Sequence, residues 1–126
     1  MCLTYRMYDD EIQKFKGVHE GWKQFVTIEG KLYPLHMNNR NPLPRGKWLK
    51  EEDYRPNWCA HRKTIDACDD FPHYRYPMGF HVWLKSLPQE GVWRTILRVR
   101  FRKPVVWGIQ DGKPVVVAKE IFIPKE

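Results

Sequence analysis

Arg98, Arg100 and Arg102 alternate with Val99 and Phe101 in the C-terminal third of the chain, and this spacing is its clearest chemical signal. In an extended strand, side chains two residues apart share a face and lie about 6.6 Å apart. That interval is close to the phosphate repeat of an extended single-stranded nucleic acid. Each guanidinium offers a planar fork that grips phosphate oxygens in pairs. Ile96, Trp93 or Trp107 can supply a stacking surface beside such a row, and sheets carrying arginine and exposed aromatics hold single strands in this way. Two structural roles compete with binding. Arginine on an edge strand discourages sheet-to-sheet aggregation, and the row can pair with Asp66, Asp69 and Asp70 of the acidic middle of the chain.

A second candidate is Gly79-Phe80-His81, which follows Tyr74, Tyr76, Pro77 and Met78. A glycine there permits close backbone approach to a ligand. His81 and Trp83 can meet a sugar or a base. His81 with the late Glu120 is also the residue pair an ADP-ribosyl-transfer enzyme would need on neighbouring strands. The competing role for His81 is to hydrogen-bond a buried carbonyl.

Cys59, His61, Cys68 and His73 are four competent zinc ligands, the number a closed tetrahedral site requires. Their C-x-H-x6-C-x4-H spacing differs from the paired ligands of fingers and knuckles, so the expectation is no metal and no cofactor. Cys59 beside His61 lacks an orienting third group for nucleophilic catalysis. With Cys2 the cysteines number three, and free thiols in a reducing compartment are expected. No dinucleotide, P-loop, zincin or nucleophile-elbow motif occurs, so common hydrolases and kinases are disfavoured and the chain reads as a non-enzymatic protein.

These residues need a scaffold, and 126 residues supply one domain, 1–126, large enough for a core. The net charge is +7 and predicts anionic partners. Basic excess lies at the two ends, +4 over residues 1–50 and +5 over 91–126, with −2 between. No apolar run is long enough to span a bilayer. Asp9, Asp10 and Glu11 argue against a signal peptide, and a cytoplasmic location follows as an expectation.

Local patterns predict an α+β, mainly β fold with an antiparallel sheet. A short helix is expected over residues 11–16, with Ile12 and Phe15 on one face and Gly17 and Gly21 ending it. Residues 22–28 and 32–35 read as strands joined by Glu29-Gly30-Lys31. Residues 46–49 read as a brief strand, 50–54 as a turn, and 64–68 as one helical turn within a long irregular segment, 36–78. Residues 79–84 read as a strand or a strand-to-helix junction. Residues 93–103, 105–109 and 115–123 form a C-terminal meander, with Asp111-Gly112 at its hairpin. The expected core contains Phe25, Ile28, Leu97, Val99, Phe101, Val106, Val117 and Ile121. Trp48, Trp58, Trp83, Trp93 and Trp107 are more often core than ligand platform.

Met1-Cys2-Leu3-Thr4, Gly79-Phe80-His81-Val82 and Val115-Val116-Val117-Ala118-Lys119-Glu120-Ile121 together resemble a loose group of small proteins from tailed phages and prophages. There a strand pair precedes a G-F-H segment and a β-rich C-terminus follows. Residues 59–73 depart from that pattern. The resemblance implies a protein of the infected bacterium's cytoplasm, of the kind that blocks host machinery or sequesters a host nucleotide signal. It brings no catalytic residue with it.

Three functions are therefore expected in order. The first is a binding protein for a nucleotide-like ligand or single-stranded nucleic acid, using Arg98, Arg100, Arg102, His81, Trp83 and Trp107, with a homo-oligomer compatible with this reading. The second is an inhibitor of a host protein acting through the aromatic-rich loop 36–78, with Trp48 and Trp58 as anchors. The third is the ADP-ribosyl-transfer enzyme with His81 and Glu120.

Overall fold

The computed structural model describes residues 5–6, 12, 14–34, 42–54, 64–66, 75–87 and 94–125. Within them the chain forms β1 (Tyr5–Arg6), β2 (His19–Ile28), β3 (Lys31–Tyr33), β4 (Trp48–Lys50), β5 (Thr64–Asp66), β6 (Arg75–Pro77), β7 (Phe80–Trp83), β8 (Arg94–Gln110) and β9 (Lys113–Phe122). The fold is mostly β, as the alternation predicts. Helical geometry among the described residues is limited to a 3-10 turn at Glu51–Tyr54 and to residues 12, 14 and 15. No helix among them is long and apolar enough to cross a membrane.

Seven strands share one antiparallel sheet in the order β1-β8-β2-β7-β9-β4, with β3 on β2, while β5 and β6 make a separate hairpin. β8 also pairs with β9, so β8, β2, β7 and β9 close into a ring. The 17-residue length of β8 makes this possible. Residues 94–101 pair with β2, and residues 100–110 pair with β9. In the arginine row only Arg100 and Phe101 pair on both sides, while Arg98 pairs with β2 alone and Arg102 with β9 alone.

The two segments expected at 93–103 and 105–109 are one strand with a bulge. Lys103 has a positive φ of 57°, and the register with β9 shifts between Pro104 and Val106. The bulge leaves Val105 without a partner between Pro104, opposite Ala118, and Val106, opposite Val117, and bulges are among the few places where a strand accommodates a neighbouring proline. Residues 64–66 are a strand paired with β6, not the expected helical turn. β-branched Thr64 and Ile65 favour that conformation.

Both tight hairpins follow their turn chemistry. Glu29 and Gly30 have φ of 52° and 77°, and Asp111 and Gly112 have 51° and 76°. Two successive positive φ values define the type I′ turn, whose twist matches the flanking strands. Gly21 and Gly79 serve close packing. A Cβ at Gly21 would lie 2.5 Å from Val82 Cγ1, and one at Gly79 would lie 2.7 Å from the Ala118 carbonyl. The close approach at Gly79 is thus to β9. Gly21, expected to end a helix, lies within β2.

The larger apolar cluster fills one face of the sheet with Phe25, Phe80, Val82, Val99, Phe101 and Ile121 among its members, and Leu97 packs against it. A smaller cluster of Trp83, Val106, Val115 and Val117 occupies the other face. Ile28, expected in the core, is only partly buried beside the Glu29-Gly30 turn. Along β9, Val116 and Ala118 join the larger cluster, and then so do Ile121 and Ile123. The alternation slips by one residue there, opposite the bulge at Lys103. That slip turns Glu120 and Phe122 towards the arginines of β8.

Candidate nucleic-acid interface

The strand register assembles the site. Trp22 of β2 lies opposite Arg98, and Glu20 lies opposite Arg100. On the other side of β8, Arg100 faces Phe122, which in turn faces Trp48 of β4. Arg102 faces Glu120, which faces Lys50. Cross-strand partners share a face. The result is a four-strand surface on which each arginine of the row meets an aromatic ring.

Arg98 Cζ lies 5.4 Å from the Trp22 ring centre, Arg100 Cζ 5.8 Å from Phe122, and Arg102 Cζ 4.0 Å from Trp48. Trp48 and Phe122 also pack together at 5.6 Å. Guanidinium over an aromatic face is attractive through the ring quadrupole. It also holds a long side chain down on the sheet. Arg98 and Arg100 remain 64% and 55% exposed, and Arg102 36%.

Two carboxylates answer these charges in different ways. Glu20 lies 2.6 Å from Arg98 Nη2 and 4.0 Å from Arg100 Nε. Glu120 is buried, and its two oxygens accept from Arg102 Nε at 2.8 Å and Lys103 Nζ at 2.6 Å. The hydrogen bond from Lys103 holds its carboxyl below the usual range, against the opposing effect of burial, with Arg102 adding to the depression. Glu120 also borders a cavity of about 300 Å³ with Glu51, Lys103 and Lys119. Positive and negative groups alternate around it, and Lys119 is spoken for by the Met78 carbonyl at 2.5 Å.

The other candidates fall elsewhere. Trp83 and Trp107 are at least nine-tenths buried, in the smaller and larger clusters respectively, so neither presents a ring to a ligand. His81 lies opposite Val117 on the strand face of Trp83, and β2 separates its strand from the arginine row. Its carbonyl accepts a hydrogen bond from Lys23 at 3.0 Å. His81 and Glu120 are on adjacent strands, yet Glu120 is committed to Arg102 and Lys103. Cys59, His61, Cys68, His73, Trp58, Trp93, Asp69 and Asp70 lie outside the described residues. Among the described residues no cluster of three His, Cys, Asp or Glu side chains is arranged to hold a metal.

Of the rings that matter, Trp22 and Phe122 are not among the sequence candidates, and Trp48 is one only as an anchor for a protein partner. A partial signal exists: Trp22 opens a predicted strand and Trp48 lies within a short one. Which tryptophan meets which arginine depends on register between distant segments, and on the slip in β9 that turns Phe122 outward.

A larger groove of about 540 Å³ runs between Gly30, Leu32, Pro42, Leu43 and Tyr54, sharing no residue with the arginine face. No protein-family model, curated protein or solved structure matches the chain.

Proposed function

We propose that this protein binds single-stranded nucleic acid on the outer face of β8 and its neighbours, without catalysing a reaction. The observation that carries the reading is the row Arg98, Arg100 and Arg102, each guanidinium backed by a ring. Ring-backed guanidinium planes can stack with bases, while their outward N–H groups reach phosphate oxygens. A duplex conceals its base faces, so a single strand uses this surface more fully. The net charge of +7 favours the encounter. In the phage-type setting that the resemblance implies, such binding would serve to sequester a host or phage strand or a nucleotide signal in the bacterial cytoplasm.

The test is fluorescence anisotropy of a labelled oligothymidylate over a range of salt concentrations. Neutralising three phosphates on a single strand gives a slope of about −2 for log K against log salt. The double variant Arg98→Ala, Arg100→Ala should flatten most of that slope. Binding that survives this double change with its slope intact would refute the reading.

A further inference from the structure

The two carboxylates on the arginine face are not equivalent, and the difference identifies a regulator of the site. Glu120 is 6% exposed and holds two short contacts, to Arg102 and Lys103. It is a fixed part of the sheet. Glu20 is 47% exposed, with one short contact to Arg98 and a long one to Arg100. Its partners are each more than half exposed. An ion pair so open to water is weakly held and readily exchanged.

We propose that Glu20 is an internal stand-in for phosphate, occupying the position between Arg98 and Arg100 that a phosphodiester takes by displacing it. The inference rests on the reading of this face as a nucleic-acid site. A carboxylate and a phosphodiester both present two oxygens to a guanidinium fork. Glu20 sits opposite Arg100, one row from the Trp22–Arg98 pair, so its two oxygens reach neighbouring arginines of the row. In the free protein it offsets part of the local positive charge and keeps both guanidinium groups aligned beside their rings. An incoming strand must outcompete it. Isolated small anions do so poorly, whereas a polymer that engages several arginines at once does so readily. Glu20 thereby sets a threshold that favours polyanions over single phosphates.

Removing the competitor raises affinity. For labelled oligothymidylate at fixed salt, E20Q should bind about 3–10-fold more tightly than the wild type, with a steeper salt slope. E29Q is the matched control: it removes the same charge from an exposed turn residue, and should change affinity by less than about twofold. Inorganic phosphate should inhibit oligothymidylate binding more strongly in E20Q than in the wild type. Equal gains for E20Q and E29Q would make the effect one of net charge and overturn the role of Glu20, leaving the arginine reading intact. Weaker binding by E20Q would overturn it too, assigning Glu20 to positioning. Failure of the wild type and E20Q alike to bind would overturn both proposals. Glu20 is exposed, so unchanged thermal unfolding of E20Q confirms that the comparison is between folded proteins.

Discussion

The two halves of β8 carry similar β-forming residues and have opposite surroundings. In residues 98–102, exposed or half-exposed arginines alternate with buried Val99 and Phe101. In residues 106–108 the burial is continuous, with Val106 in the smaller cluster and Trp107 in the larger one. One strand is thus half-wet at its start and dry on both faces at its end. The positive φ at Lys103 and the bulge between Pro104 and Val106 separate the two regimes. What makes the first half a candidate site is therefore not strand propensity but guanidinium groups that stay exposed on its second face, beside rings delivered by β2, β4 and β9.

The largest expected effect tests the dry half. Trp107→Ala removes an indole that packs against Phe15 at 6.1 Å within the larger cluster. Truncating a buried Trp to Ala costs ~3–5 kcal/mol, through lost transfer free energy and the cavity left behind. Its Nε1 has no hydrogen-bond partner among the described residues, so the loss is one of packing. Denaturant unfolding should show the full drop. A change below ~1 kcal/mol would mean that this end of β8 is not held between two clusters as described.

A smaller effect concerns a cation on the inner face of the same sheet. Lys23 lies between Gly21 and Phe25 on β2 and sends its ammonium to the His81 carbonyl, 5.6 Å from the Phe80 ring centre. Burial lowers it to about 8 from its ordinary 10.5. Below pH 8 both folded and unfolded chains hold this proton, and the folded chain bears the burial penalty in full. Between about pH 8 and 10.5 the unfolded chain binds more proton than the folded one, so stability rises with pH. Wild type should gain ~1–3 kcal/mol relative to Lys23→Met across that window. Parallel stability curves for the two proteins would place the ammonium in water. Its contact with β7 has structural meaning as well, because β2 and β7 share a single backbone pair, Trp22 with Trp83.

The contrast between these regions also explains how much was legible in the sequence. Period-two alternation exposed the first half of β8, because one wet face and one dry face leave that signature. The turns at Glu29-Gly30 and Asp111-Gly112 were legible from residues that accept positive φ. Continuous apolar runs such as Val115 to Ala118 say only that both faces are buried, not which cluster each residue joins. Joining residues 94–110 into one strand was hidden by Pro104, which reads locally as a break. The arginines were legible as a row. Their rings were not, since Trp22, Trp48 and Phe122 reach them through pairing between segments far apart in the chain. Trp107 lies near the row in sequence and Trp83 lies near His81, but packing places them in the two clusters instead.

The smallest expected effect belongs to the arginines, and its smallness is informative. Arg98→Ala and Arg100→Ala each remove an exposed ion pair to Glu20 and a guanidinium more than 5 Å from its ring centre. Exposed pairs contribute ~0–1 kcal/mol, and an exposed cation–π contact adds a comparable amount. The backbone ladder and the inward neighbours Val99 and Phe101 are untouched. Each variant should therefore unfold within ~2 kcal/mol of the wild type, even as the two together remove most of the salt-dependent binding. Arg102 differs: losing it would leave buried Glu120 with Lys103 alone of the two cations that hold its carboxylate. If Arg98→Ala unfolded as readily as Trp107→Ala, the guanidinium row would be part of what holds the sheet, and its exposure would no longer argue for a ligand. A large loss of binding with little loss of stability is the signature of residues kept at a surface for a partner rather than for the fold.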